Sequence, residues 1–270
     1  MSALATRVTG RSRAGKLAGV ASFALIVAGA AGCATHPAPL PTAPAPASAP
    51  PPDAAADSIP LSVRWFRASA ERRALYLQGY RTATTVIERR SPGFPSGSWA
   101  VILDADETVI DNSSYQQELA ERHARYDEAS WQEWVLREAA PALPGAVAFT
   151  TRVRTLGGKV VIVTNRDDRY CEPTRSNLRK VGIVADEVLC KTDPKNGSKD
   201  PRFDAVAAGT APSTLPALKV LMWVGDNIQD FPRLTQAIRT AGDSAFANFG
   251  ETYIALPNPM YGSWERNPLP

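Results

Sequence analysis

The sequence predicts an α/β fold, a parallel sheet with helices on both faces, N-terminal helices before it and a small, mainly helical cap set into it. Three observations predict it. Four short apolar runs, WAVILD (99–104), KVVIVT (159–164), EVLC (187–190) and KVLMWVG (219–225), have the length and composition of buried strands. Helical patterns at 145–156, 171–181 and 231–240 alternate with them, as in sheets whose two faces are both covered. Three of the runs also end in polar clusters, which a parallel sheet gathers along one edge.

In chain order, residues 1–32 come first, with Arg7, Arg11, Arg13 and Lys16 ahead of an apolar stretch from Leu17 to Ala28 and small residues up to Gly32. That is the pattern of a secretory signal peptide, too short for a comfortable membrane span. Ala30-Ala31-Gly32-Cys33 resembles a lipoprotein processing site, so Cys33 is expected to be lipidated and to become the mature N-terminus; ordinary cleavage leaving a free Cys33 is the alternative. Residues 33–57 are rich in proline and alanine and favour extended polyproline II, a tether of roughly 3.1 Å per residue. The expected location is the bacterial cell envelope, at the outer membrane. Without residues 1–32 the formal charge of +3 becomes −1, so the basic balance belongs to the signal. No polybasic strip remains, and nucleic acid is not an expected partner.

The globular part is read as residues 58–270. Residues 61–90 carry Val63, Phe66, Ala70 and Leu77 at helical spacing between Pro60 and Pro92-Gly93, giving one long helix or two abutting ones. Residues 115–143 break the strand–helix alternation after the first strand, with Trp131, Trp134 and Val135 as apolar anchors. An insertion there lies over the sheet edge and suits a cap; a crossover helix covering the sheet is the plainer alternative. Cys171 and Cys190 form an even pair, bridged in an oxidising compartment or else left as two buried thiols. A homodimer is kept open.

The polar clusters are Asp104-Ala-Asp106, Thr164-Asn165-Arg166, and Gly225-Asp226-Asn227 with Asp230 four residues on. One aspartate after a strand is often only a turn former; three clusters in order are more specific. Asp104, Asp226 and Asp230 are the hard oxygen donors that a single magnesium ion prefers. A magnesium ion would let Asp104 approach an anionic phosphate and form an aspartyl-phosphate, with Asp106 as acid and base. The two histidines, His36 and His123, lie in the tether and the cap, which excludes a phosphohistidine mechanism. No arginine-rich anion loop follows either late cysteine, which excludes a cysteine phosphatase.

The blocks LSVRWFRASAERRAL, DADETVIDNSSY, PGAVAFTTRV, VTNR, SKDPRF, VGDNIQDF and LPNPMYGSWE, in this order over residues 60–266, resemble the class C acid phosphatases, the bacterial lipoprotein branch of the haloacid dehalogenase superfamily. The resemblance implies a Rossmann-like sheet, Asp104 as nucleophile, Asp106 as acid/base and Thr164 as phosphate binder. It implies magnesium on Asp104, the Asp106 carbonyl and Asp226, with Asp230 beside or behind it. SKDPRF points to Lys199 as the phosphate-binding lysine, helped by Arg202, with Lys191 as runner-up. In such a fold the second and third strands are neighbours, which gives a Cys171–Cys190 bridge a geometric motive. The implied substrates are 5′-nucleotides and other phosphomonoesters, including aryl phosphates and nicotinamide mononucleotide. Asn165, Tyr261 and one cap tryptophan, Trp134, are the expected substrate contacts, although tryptophans at i and i+3 are also a common core pair. An acidic optimum is expected if Asp106 must donate while Asp104 stays ionised. The different-class alternative is a non-catalytic surface lipoprotein binding haem or nucleotides, but such a protein has no need of Asp104 and its partners.

Overall fold

The computed structural model describes residues 59–210 and 214–269; the expected signal peptide, tether and lipidated Cys33 lie outside them. Two helices open the described chain, α1 (Leu61–Ala68) and α2 (Ala70–Arg90), so residues 61–90 break once. The break is Ser69, in extended backbone, whose hydroxyl accepts from the Arg72 N–H at 3.1 Å and caps α2. Glu71 in the first turn of α2 and Arg89 and Arg90 in the last complement its dipole.

Five parallel strands follow: β1 (Trp99–Leu103), β2 (Lys159–Asp167), β3 (Glu187–Lys191), β4 (Lys219–Gly225) and β5 (Tyr253–Ala255). Their order is β3-β2-β1-β4-β5, which puts β1 at the centre. Leu103 pairs with Ile162 on one side and Val224 on the other, so the three polar clusters come off adjacent strands at the same level. Both faces are buried, which is why the strands read as continuous apolar runs. Val101, Leu103, Val160, Ile162 and Val224 face the larger core. Helices α2, α5 (Ala146–Thr155) and α6 (Cys171–Lys180) cover that side. Ala100, Ile102, Val161, Val163 and Leu189 face the smaller one, under Phe203 and Val206 of α7 (Asp200–Ala208). Helices α3 (Ser113–Glu121) and α4 (Glu128–Arg137) stand after β1 in the segment expected to cap the site. Among the described residues no helix is long and apolar enough to cross a membrane.

Two elements differ from expectation. Residues 231–240 form no α-helix: Pro232 lacks an N–H, Phe231 before it is extended (φ −111°, ψ 139°), and Arg233 sits at φ 61°. Only a 3-10 stretch at Gln236–Thr240 survives, capped by Thr235. The second is β5, three residues long, which presents too short an apolar pattern to be read as a strand without its pairing to Trp223, Val224 and Gly225 of β4.

A disulfide joins Cys171 at the start of α6 to Cys190 in β3, closing a sequence separation of 19. Such a loop closure is worth about 3 kcal/mol of unfolded-state entropy. The Cys171→Ser/Cys190→Ser double variant is therefore expected to lose about that much in urea unfolding; an unchanged midpoint would show that the bridge contributes no stability.

Candidate active site

Asp104 is the first residue beyond β1, buried, with its N–H donating to Val224 O at 3.0 Å. The chain then turns sharply, with Glu107 in the left-handed region at φ 51°. Three groups hold that turn. Tyr80 of α2 donates its hydroxyl to Thr108 O at 2.6 Å, and Tyr76, one helical turn earlier, donates to Glu107 O. The Glu107 carboxylate accepts from the Asn112 backbone N–H at 2.6 Å. Burial, then the nearby Asp106 and Asp226 charges, pushes the Glu107 carboxyl well above the usual range.

Lys199, immediately before α7, reaches the same floor and donates its Nζ to Asp104 Oδ1 and, at 2.7 Å, to Asp230 Oδ1. Burial works against its charge, but the two facing carboxylates hold its pKa up to about 12. Asp226 accepts from Thr108 Oγ1 at 3.0 Å and from Asn258 Nδ2 at 2.9 Å. Asp230 comes this close because residue 225 is glycine: a Cβ there would lie 2.3 Å from the Asp230 Cβ. Burial pushes the Asp104 carboxyl up to about 7, with Lys199 opposing and Asp230 and Asp106 adding to the rise. Burial, followed by the Asp230 and Asp104 charges, also holds Asp226 well above the ordinary range.

Asp104, Asp226 and Asp230 each offer an oxygen within 4.8 Å of the others'. Three carboxylates against one ammonium leave buried negative charge in excess, which is costly unless it is compensated. The donors are all hard oxygens, so a divalent cation such as magnesium fits the excess in both charge and chemistry. Lys191, the runner-up lysine, stands instead opposite Asp167 in the β2–β3 register and takes no part in this cluster.

The second cluster lies beside the first. Thr164 is fully buried and its hydroxyl accepts from the Arg166 N–H at 3.1 Å. Arg202, expected to help with substrate, is turned away from it: its guanidinium is engaged by Thr164 O and, at 2.6 Å, by Asn165 Oδ1. Arg202 therefore positions the Thr164-Asn165 backbone. Asn165 lines the pocket and donates to Gly197 O at 2.9 Å.

That pocket has a volume of about 840 Å³ and opens over Asp106, with Tyr115, Tyr126, Trp131, Met260 and Tyr261 along its walls. Trp134, expected at the substrate, is buried and absent from these walls; its Nε1 donates to Asn112 Oδ1 at 2.8 Å. Of the two cap tryptophans it is Trp131 that reaches the pocket, 5.2 Å from the Tyr115 ring. Sequence reasoning singled out neither Asn112, Asn258 nor the two tyrosines. Both asparagines lie inside the quoted blocks, and Tyr76 and Tyr80 share one face of α2 at i, i+4, which is the signal that would have paired them.

Comparison with known proteins adds the family. The family described as HAD superfamily, subfamily IIIB (acid phosphatase), matches residues 27–264. A class C acid phosphatase from Bacillus anthracis superposes with a TM-score of 0.69 at 30% identity, covering 77% of this chain and 87% of that one. A second structure of a class C acid phosphatase from that organism, with tungstate bound, gives 0.68 at 28% identity with the same coverage. Acid phosphatase 1 of Solanum lycopersicum is 32% identical over 82 residues, 30% of this chain and 32% of that protein. The stem 28 kDa glycoprotein of Glycine max is 28% identical over 161 residues, 59% of this chain and 58% of that protein. The chain thus spans between about a third and three fifths of these curated relatives' lengths. With the family matched over most of its length and the fold shared with the Bacillus enzyme, the chain belongs to the acid phosphatases of HAD subfamily IIIB.

Proposed function

We propose that this protein is a magnesium-dependent phosphomonoesterase that hydrolyses 5′-nucleotides and other organic phosphomonoesters through an aspartyl-phosphate on Asp104. The observation that carries this reading is the excess of carboxylate gathered around Asp104 and Lys199, with Asp106 of the same turn lining an aromatic pocket of about 840 Å³.

Asp104, the Asp106 carbonyl and Asp226, with Asp230 beside them, would hold magnesium, which would supply the neutralisation that lets an anionic carboxylate meet an anionic phosphate. The protein's own groups do the rest. An Asp104 oxygen bonds to phosphorus as the bond to the leaving oxygen breaks, and Asp106 gives that oxygen its proton. Lys199 and the Thr164 hydroxyl meet the phosphoryl oxygens. Asp106 then takes a proton from water, which attacks phosphorus, releases inorganic phosphate and restores Asp104. The tungstate complex of the Bacillus enzyme, an oxyanion bound by a relative, is in keeping with this reading. Flat rings on the pocket walls support a nucleobase as the leaving group's outer part, since stacking tolerates any base. The completeness of the carboxylate set weighs against a non-catalytic binding protein. Residues 1–57 support export and anchoring of Cys33 in the outer membrane.

Three outcomes are expected. Phosphate release from a nucleoside 5′-monophosphate in magnesium should vanish with a chelator and fall by at least ~10³-fold in Asp104→Asn; release that survives both would refute the mechanism. Tyr261→Ala should lower kcat/KM about ten-fold or more on a nucleotide and leave a small alkyl phosphate unaffected, whereas equal losses on both would exclude stacking. Cys33→Ser should move the exported protein from the membrane fraction to the soluble one; a variant still in the membrane would rule out the lipid anchor.

A further inference from the structure

Asp106 is held by an arginine that the phosphoryl chemistry itself does not call for. Arg166 stands at the end of the second polar cluster, its side chain only 1% exposed against 20% for Asp106. Its Nε donates to Asp106 Oδ1 at 3.0 Å and Oδ2 at 3.2 Å, and its Nη2 donates to Oδ1 at 2.8 Å. Asn112 Nδ2 adds a third donor to Oδ1 at 2.7 Å. Oδ1 is therefore saturated, while Oδ2 accepts one bond, the longest of the set.

The guanidinium is itself fixed on every side. Nη1 donates to Thr174 Oγ1 at 3.3 Å, Nη2 also donates to Asn112 Oδ1 at 3.1 Å, and the Trp131 ring lies 5.2 Å from its central carbon. Trp134 donates to that same Asn112 oxygen, which decides which end of the amide faces Asp106. This is the use the buried tryptophan is put to: its N–H orients Asn112, and Asn112 orients the carboxylate.

We propose that Arg166 is a positioning residue for the proton-transfer steps, holding Asp106 so that Oδ2 alone gives and takes the proton. The inference rests on the phosphomonoesterase reading above. A proton on Oδ1 would displace one of three donors; a proton on Oδ2 displaces none of the short ones. As the bond between phosphorus and the leaving oxygen breaks, its electron pair stays on that oxygen and the Oδ2 proton moves to it, leaving a carboxylate. The planar guanidinium, with Nε and Nη2 both on Oδ1 and Nε reaching Oδ2, stabilises that charge as it forms, and a lysine's single ammonium cannot place two fixed donors on Oδ1 in the same way.

Leaving-group dependence separates this role from a structural one. Dinitrophenolate departs without a proton, whereas a butyl alkoxide needs one. In Arg166→Gln, kcat/KM is expected to fall on the order of ten-fold or more for butyl phosphate and about two-fold or less for dinitrophenyl phosphate. In an Asp106→Asn background the same substitution should change butyl phosphate turnover by no more than about two-fold, because the group it positions is gone. Equal losses on the two esters, or a further loss in the Asp106→Asn background, would overturn the proposal. Arg166→Lys keeps the charge without the fork and carries the same comparison if the glutamine variant does not fold. A wild-type protein that turned over neither ester would overturn the phosphomonoesterase reading and this role with it.

Discussion

A carboxylate taken out of water at the end of a buried strand has to be met by charge or by donors, and much of this fold is arranged to meet Asp104. Because β1 is central, neighbours arrive from both sides: Thr164 from β2, and Asp226 and Asp230 from beyond β4. The Lys199 ammonium comes from the opposite layer, at the start of α7. That one bond ties the nucleophile's loop to a helix on the thinner face of the sheet. It also dictates residue 225, since Asp230 can share the ammonium only where β4 ends without a side chain. Buried charge networks of this kind contribute little net stability but favour one arrangement over its neighbours.

How far the sequence discloses this follows from the range of each interaction. The central strands are legible because burial on both faces demands unbroken apolar runs, and their polar ends are legible because parallel pairing aligns them. Lys199 could be separated from Lys191 only through the motif around it; no local pattern marks a lysine that turns inward. Trp131 and Trp134 are alike in spacing and type, yet one lines the pocket and the other is spent on Asn112, a difference set by residues 22 positions away. Arg202 similarly reads as a substrate cation until Thr164 O is seen to occupy it. The 231–240 segment had helical spacing but contained the proline that prevents the helix, so there a local rule was outweighed by a nearer one.

The aromatic and amide residues around Asp106 divide the work between holding and receiving. Tyr115, Trp131 and Tyr261 leave ring surface on the pocket, while Tyr76, Tyr80 and Trp134 keep theirs in the core and use a polar tip. The second group fixes backbone and amide orientation through hydrogen bonds whose loss would leave a buried acceptor unmet. A single residue class thus serves rigidity on one side of the site and tolerance on the other.

The segment after β5 returns to the site late in the chain. Leu256 N–H donates to Gly225 O at 2.8 Å, Pro257 O lies 3.2 Å from the Tyr76 hydroxyl across 181 residues as the longer acceptor of the proton it shares with Glu107 O, and Asn258 reaches Asp226. Contacts of such separation carry the largest loop-closure cost in the site. A chain that has completed β4 already carries its nucleophile, its lysine and the Thr108 donor to Asp226, but Asn258, the second donor, and the Tyr261 wall are still to come. The site is thus complete only when the residues behind the last strand are in place.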